Sequence, residues 1–568
     1  HRVAYLFYSE RTRLERSGVL LVGPSRTFLR YVEQVLPSLG ETGVVSTTLA
    51  DLVPGVRARG AEPAETAEVK SRAVWATILR RAVRDLQRVP DSPRPITVDG
   101  TRLELRPADV REAVVRARRS GRPHNLARET FVLWLLERLT DQLASATSRD
   151  ASDPDTRAWI REDIRTARDA RREINLCWMP TTPVGLLERL WARPALLERL
   201  APELEAHERA LLQRAAGAEP TPADVPLIDE LAELLGPSED AQAHRARLQA
   251  RRREELVAYA AQAIESQELG GGVVDAEMLA DRVEAPGPSL TLAERARADR
   301  TWTYGHIVVD EAQELGAMAW RALARRCPVR SFTVVGDLTQ YSGPSAPRSW
   351  ADALAALGTR PDPREGGRAA SPASTPLHLE ALTVCYRTPA TIMAAAQEAV
   401  TALGRPPAFP VSSVRDLPDC LRVDDLSRER LQDEDEEVWA RALREAVHEE
   451  SAALDRAVGV DEGRIAVITP RADDDAAALA ADPRLAGALE APDGDVLRSR
   501  LVVMSPRMSK GLEFDVVVLV DPAVVGRTSP GDLYVAMTRP TRRLRMVSRT
   551  AAPGTARPAR STSAAAGV

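Results

Sequence analysis

Two short apolar runs end in acids. Ile307-Val308-Val309 leads into Asp310-Glu311-Ala312-Gln313-Glu314-Leu315, and Phe332-Thr333-Val334-Val335 leads into Gly336-Asp337-Leu338-Thr339-Gln340. Each reads as a buried strand emptying into a polar loop. In a parallel α/β sheet such a loop lies at the carboxyl edge, where ligands bind. The first acid of the pair, Asp310, suits a Mg²⁺ ligand, held through water. Glu311 suits a base that orients a water against a terminal phosphate. Phosphoryl transfer asks a protein mainly for positioning and charge of this kind. Either run alone also fits an ordinary core strand with a polar end. Their order, and the motifs further along the chain, favour the chemical reading.

A phosphate-cradling loop of the form G-x-x-x-x-G-K-[ST] needs a lysine after its glycines. The chain has two lysines, Lys70 after Ala67-Glu68-Val69 and Lys510 after Arg507-Met508-Ser509, and neither follows such a loop. The sequence also opens on His1 rather than Met. The expectation is a fragment whose phosphate loop lies upstream, and which by itself hydrolyses little ATP.

These residues need a scaffold, and the composition allows one. At 568 residues there is room for roughly two to four domains. A hydrophobic fraction of 44% and a charged fraction of 28% are those of a globular protein. Arginine almost replaces lysine, which reads as coding bias. The net charge of −5 gives no global basic field, so any nucleic-acid contact must be a local patch. Cys177, Cys327, Cys385 and Cys420 show no C-x-x-C spacing. That argues against a structural zinc or a disulfide framework and fits a reducing cytoplasm. No uncharged apolar stretch of about 18 residues is present, so no membrane span is expected.

Along the chain, His1–Arg16 reads as a charged amphipathic helix, Gly18–Pro24 as a buried strand and turn, and Thr27–Leu36 as a helix stopped by Pro37. Gly43–Ser46 reads as the next strand. From about Asp51 to Arg300 the sequence turns mostly helical, with long helices expected at Val69–Val89, Thr130–Leu143 and Ala241–Gln267. Ile96–Leu105 alternates around Asp99-Gly100, a two-residue hairpin signal. Leu227-Ile228-Asp229-Glu230-Leu231 imitates the acid-pair pattern. It keeps helical spacing up to Gly236, so it reads as a helix start with acids favouring the dipole. Strands return at Leu377–Leu382, Arg464–Thr469, Leu501–Met504, Val516–Val520 and Leu544–Val547. The resulting division is 1–50 with 301–358 as a first α/β domain and 51–300 as a helical insertion within it. A flexible linker at 359–376, a second α/β domain at 377–550 and a disordered tail at 551–568 complete it.

The order of motifs resembles that of the superfamily 1 helicases of the UvrD/Rep type. Gly23-Pro24-Ser25 looks like motif Ia, Asp310-Glu311-Ala312-Gln313 like motif II, and Gly336–Gln340 like motif III. Cys385-Tyr386-Arg387-Thr388-Pro389 looks like motif IV, Lys510-Gly511-Leu512-Glu513-Phe514-Asp515 like motif V, and Tyr534–Arg539 like motif VI. The resemblance implies two RecA-like P-loop NTPase-type domains with ATP and Mg²⁺ between them. Asp310 would hold Mg²⁺ and Glu311 activate water. Gln340 would sense the γ-phosphate, and Tyr386 would stack on adenine. Arg387 and Arg539 would act as arginine fingers. Glu513 would bond the ribose, Gly511 allow close backbone approach, and Lys510 belong to the nucleotide site.

Within that group the chain is most similar to the HelD proteins, which bind RNA polymerase and release it from nucleic acid using ATP. The D-E-A-Q-E-L string with Trp320–Leu323 and Arg325–Pro328, the Arg11–Val45 segment, and the place of the 51–300 insertion carry that likeness. Two departures stand out. Arg507 occupies the place of a usual His before the motif V lysine, and Pro540 follows Arg539 where an Ala is usual; a proline there is expected to bend the helix. Both bear on strand translocation more than on ATP hydrolysis. Three readings stay open: a HelD-like ATPase that remodels RNA polymerase, a 3′–5′ DNA helicase, and a non-catalytic polymerase-binding module.

Overall fold

The computed structural model describes residues 2–35, 43–237, 253–254, 257–259, 292–343, 347–360, 375–425, 436–489 and 499–549. The fold is mixed α/β. A four-stranded sheet has the order β2-β1-β5-β6, from β1 (Val19–Gly23), β2 (Val44–Thr48), β5 (His306–Val309) and β6 (Phe332–Val334). A two-stranded hairpin pairs β3 (Arg94–Val98) with β4 (Thr101–Leu105). Short parallel pairs join β7 (Thr359–Arg360) to β8 (Thr375–Pro376) and β9 (Val384–Cys385) to β10 (Ser412–Ser413). A five-stranded sheet runs β11-β15-β14-β12-β13, from β11 (Leu421–Asp425), β12 (Ile465–Ile468), β13 (Leu501–Met504), β14 (Phe514–Val520) and β15 (Pro540–Ser548). All four of its pairings are parallel.

The central strands are apolar on both faces. β1, β5 and β12 are buried at every residue, and β14 at all but Asp515. Continuous apolar strands of this kind belong to parallel sheets covered by helices on both sides. β5 and β6 also run parallel. The Ile307 N–H donates to Ser331 O and the Val335 N–H to Val309 O, so the bonds advance in the same sense along both strands.

By compactness the chain divides into two units. The first comprises His1–Leu21, Leu36–Ile307 and Gly316–Ser331. Its helical part has a core around Phe131, Leu135, Leu139, Ile160, Ile164 and Trp178. The Asp99-Gly100 turn forms as expected, with both residues at positive φ (47° and 79°). That is the geometry a two-residue hairpin of matching twist requires. The helix Val225–Leu235 carries Asp229 and Glu230 at mid-length, not at its start. They do not serve the helix dipole; Asp229 is fully buried and takes ion pairs from Arg325, Arg326 and Arg300, while Glu230 takes them from Arg321 and Arg325.

The second unit comprises Val22–Val35, Val308–Leu315 and Phe332–Val568. Apolar residues on both sides of the five-stranded sheet form its core. One side is led by Ile392, Val400, Val517, Leu519 and Tyr534, the other by Trp439, Leu443, Val516 and Val518.

Several sequence expectations are corrected. Val69–Val89 is two helices, Ala64–Ser71 and Trp75–Asp85. Arg72 is extended between them, paired to Glu68 and Glu208, while the Trp75 indole donates to Val69 O at 2.8 Å. His1–Arg16 likewise breaks at Glu10 into Arg2–Ser9 and Arg11–Ser17. Leu377–Leu382 forms no strand; Leu382 is 89% exposed, and the paired residues are β8 and β9 on either side. Pro540 bends no helix. The helix Pro530–Met537 has already ended, and Pro540 opens β15, a position a strand tolerates because its first residue can forgo a donor. The Ala241–Gln267 helix lies almost wholly outside the described residues. So do the tail and 361–374 of the linker. Among the described residues no helix is long and apolar enough to cross a membrane.

Candidate active site

All nine residues singled out in the sequence fall in the second unit. The chain leaves β5 at Asp310, whose N–H donates to Val22 O at 2.9 Å. The next residue, Glu311, adopts a left-handed backbone (φ 50°, ψ 41°). A non-glycine residue pays roughly 1–2 kcal/mol for that conformation, and strained residues of this type gather at functional sites. The turn places the Glu311 N–H on Asp310 Oδ1 at 3.0 Å and the Ala312 N–H on Val335 O at 3.0 Å. Burial, and then the neighbouring Glu311 charge, push the Asp310 carboxyl above the usual carboxylate range. Two adjacent acids, one of them raised in this way, form a site that a cation would relieve.

Gln313 ties this loop to the next. Its amide donates to Glu311 Oε2 at 2.6 Å, and its Oε1 accepts the Asp337 N–H at 3.1 Å. Gly336 leaves room for that bridge: a Cβ there would crowd Gln313 Oε1 and lie 2.8 Å from the Trp350 ring. Asp337 then caps the following turn through the Thr339 N–H at 2.9 Å and accepts the Gln340 side-chain amide at 3.1 Å.

Lys510 is not a solvated loop charge. It is 8% exposed and donates to Glu314 Oε1 at 2.5 Å, Gln340 O at 2.9 Å and Ser342 Oγ at 2.5 Å. The Ser342 hydroxyl donates to Asp532 Oδ1, and its N–H donates to Glu314 Oε1 at 3.0 Å. Burial pushes the Asp532 carboxyl up, against the pull of Ser342, Lys510 and Arg507. Asp532 lies in the first turn of the helix Pro530–Met537, capped by Ser529 Oγ at 3.1 Å. Arg405 holds the same loop from another direction, donating to Tyr341 O at 2.8 Å and Gly343 O at 3.3 Å.

Two residues beyond that helix stands Arg539, just before β15. It is 6% exposed, and its bonds go to neutral groups: Val535 O at 3.1 Å, Leu512 O at 3.4 Å and Thr538 Oγ1 at 3.4 Å. Burial and then the Arg387 charge lower its pKa to about 10, while Glu311 and Glu513 act the other way. It therefore remains a cation at neutral pH, in the field of the catalytic candidate Glu311.

Arg387 and Glu513 pair with each other at 2.7 Å, both partly exposed. Tyr386, next to Arg387 in the chain, is 74% exposed. Gly511 has φ 73°, the left-handed region that favours glycine, and a Cβ there would touch Phe28 at 3.4 Å. Because β14 begins at Phe514 and pairs with Pro540, Lys510–Glu513 and Arg539 stand together at the amino edge of the five-stranded sheet.

Sequence reasoning missed the parts played by Gln313, Glu314, Ser342, Arg405 and Asp532. Gln313 and Glu314 lay inside a recognised string, whereas nothing in the spacing of Ser342, Arg405 or Asp532 marks them. Among the described residues no group of three or more His, Cys, Asp or Glu side chains makes a complete metal cage.

No protein-family model matches the chain, and no curated protein does. Among solved structures, the PRRSV helicase is 15% identical with a TM-score of 0.21, over 43% of this chain and 35% of that one. Arterivirus nonstructural protein 10 (helicase), in complex with DNA, is 16% identical with a TM-score of 0.21, over 43% of this chain and 40% of that one. The chain thus spans well under half of these structures, and a likeness this slight supports no argument about its chemistry.

Proposed function

We propose that this chain carries the ATP-hydrolysing site of a superfamily 1 helicase-like motor, built on two RecA-like domains at 1–50 with 301–358 and at 377–550. The observation that supports it is the meeting of three distant stretches in one polar cluster: the Asp310–Glu311 loop, the Gln340 loop, and the Lys510–Glu513 and Arg539 edge. In this reading Glu311, oriented by Gln313, takes the proton of the attacking water. Gln340, fixed by Asp337, meets the terminal phosphate. Arg539 offers a buried charge to the oxygens that gain charge in the transition state. Tyr386 stacks on the base. Arg387 turns from Glu513 toward phosphate and frees that carboxylate for the ribose, with Gly511 letting the backbone come close. Asp310 would hold Mg²⁺, which when bound neutralises phosphate charge.

The motif likeness extends the proposal to a HelD-like role: ATP hydrolysis spent on remodelling or releasing cytoplasmic RNA polymerase, with the 51–300 insertion as the gripping part. The second reading, a 3′–5′ DNA helicase, rests on the same motifs. The third is a polymerase-binding module without catalysis.

The test is Mg²⁺-dependent ATP hydrolysis by the full natural chain that contains these 568 residues. E311Q should lower kcat at least about 100-fold while fluorescent ATP still binds. Absence of both nucleotide binding and turnover in that full chain would sink the catalytic readings. Stimulation by core RNA polymerase favours the first reading, and stimulation by single-stranded DNA the second.

A further inference from the structure

We infer that Lys510 is a positioning residue that works through Glu314, Ser342 and Asp532, and that this cluster of three buried residues and the half-buried Glu314 sets the spacing of Glu311, Gln340 and Arg539. The inference rests on the proposed ATPase function and changes the part assigned to Lys510 within it.

An ammonium has three donors. Those of Lys510 are all engaged, on Glu314, on the Gln340 carbonyl and on Ser342, and Asp532 Oδ1 lies 3.8 Å away. A lysine so placed has no donor left for a phosphate oxygen. What it touches is more telling. Glu314 closes the short turn that starts at Glu311. The Gln340 carbonyl and Ser342 belong to the second loop. Asp532 sits in the first turn of the helix whose far end leads to Arg539. One cation therefore joins the three stretches that carry the base, the phosphate sensor and the finger.

The backbone supports the same conclusion independently. The start of the helix Pro530–Met537 lies against the second loop so closely that a Cβ at Gly531 would stand 2.7 Å from the Tyr341 carbonyl carbon. Arg405 fixes the other side of that loop through the Tyr341 and Gly343 carbonyls. The loop is held at consecutive carbonyls from Gln340 to Tyr341 and again at Gly343, which leaves its position dependent on Lys510 and Arg405. Removing one partner of a buried charge network leaves the others uncompensated, so each member should report on the same geometry.

Two measurements on the full natural chain test this, using K510M, D532N and the milder S342A. The first is amide hydrogen exchange. Residues 336–343 should exchange at least about tenfold faster in K510M and D532N, with a smaller rise in S342A. Unchanged exchange there overturns the latch whether or not the protein hydrolyses ATP. The second separates kcat from nucleotide binding. All three variants should lower kcat while the Kd for fluorescent ATP stays within about twofold. A phosphate ligand would behave differently: K510M would weaken ATP binding at least tenfold, and D532N and S342A would alter neither constant. That pattern would overturn the inference. Lack of turnover in the unsubstituted chain would instead count against the ATPase reading, leaving the exchange result to judge the latch.

Discussion

Arg539 and Asp521 are buried charged groups at opposite ends of the same sheet, and they differ in what compensates them. Arg539, before β15, is solvated by carbonyls and keeps its charge. Asp521, after β14, has a left-handed backbone (φ 46°), and its Oδ1 accepts the Arg549 N–H at 2.7 Å. Burial, and then the charge of Asp475, push its carboxyl up to about 6, although Arg471 and Arg527 face it and the Arg549 Nε lies 3.7 Å from Oδ2. A carboxyl with a folded pKa above its unfolded value favours the folded state most below about pH 4. That contribution is lost as pH rises through about 6. D521N keeps an acceptor for Arg549 and a side chain that tolerates the left-handed backbone. It should therefore raise Tm by a few °C at pH 7.5 and change it little at pH 4.5. Calorimetry at the two pH values checks this, and an equal difference at both would remove the argument.

At the level of elements, the helix Val225–Leu235 and the helix Ala317–Arg326 are joined within the first unit by charge rather than by apolar packing alone. Asp229 takes Arg326 at 2.8 Å as well as Arg325, and Arg326 also donates to Leu52 O at 3.2 Å. Burial raises the Asp229 carboxyl, and Arg326 and Arg325 outweigh it, holding it below the usual range. Its contribution is present at neutral pH and lost only as pH falls through that lowered value. D229A removes an acid shared by three arginines and leaves the buried Arg326 without its carboxylate, and should cost about 3–5 kcal/mol, read as a lower urea midpoint at pH 7. A loss under about 1 kcal/mol would mean that water replaces the acid at no great cost.

This clasp also marks where the sequence stopped being legible. Local signals carried their elements well. The Asp99-Gly100 turn needs two positive φ angles, and continuous Val/Ile/Leu runs need two covered faces, so β12, β13 and β14 could be read directly. Helix breaks at Glu10 and Arg72 could not, because distant partners such as Glu208 set the second. Asp229 and Asp310 look alike in sequence. Helical spacing up to Gly236 sets the first apart, but the arginines drawn to it and the left-handed Glu311 after the other show only in the fold. The same holds for the candidate site: its acids and arginines stood in recognisable strings, whereas Ser342, Arg405 and Asp532 gain meaning only from what folds against them.

For the molecule as a whole, charge bears on the choice among partners. The chain has 77 Lys and Arg against 82 Asp and Glu, and many of the described arginines are already spent on acids, as in the Arg325, Arg500 and Arg545 pairs. Each phosphate contact to a single strand adds about −0.7 to the slope of log K against log salt. A translocating helicase needs several such contacts plus stacking aromatics, and aromatic residues are only 4% of this sequence. If the HelD-like proposal is right, the full natural chain should bind a 20-nucleotide strand weakly at 150 mM salt, with a slope shallower than about −3. It should hold core RNA polymerase under the same conditions, through an interface that does not depend on counterion release. Fluorescence anisotropy across a salt series, beside co-purification with polymerase, separates the cases. Sub-micromolar DNA binding with a slope of about −5 or steeper, and no retained polymerase, would place the DNA-translocating reading first, because only a continuous basic track gives that salt dependence.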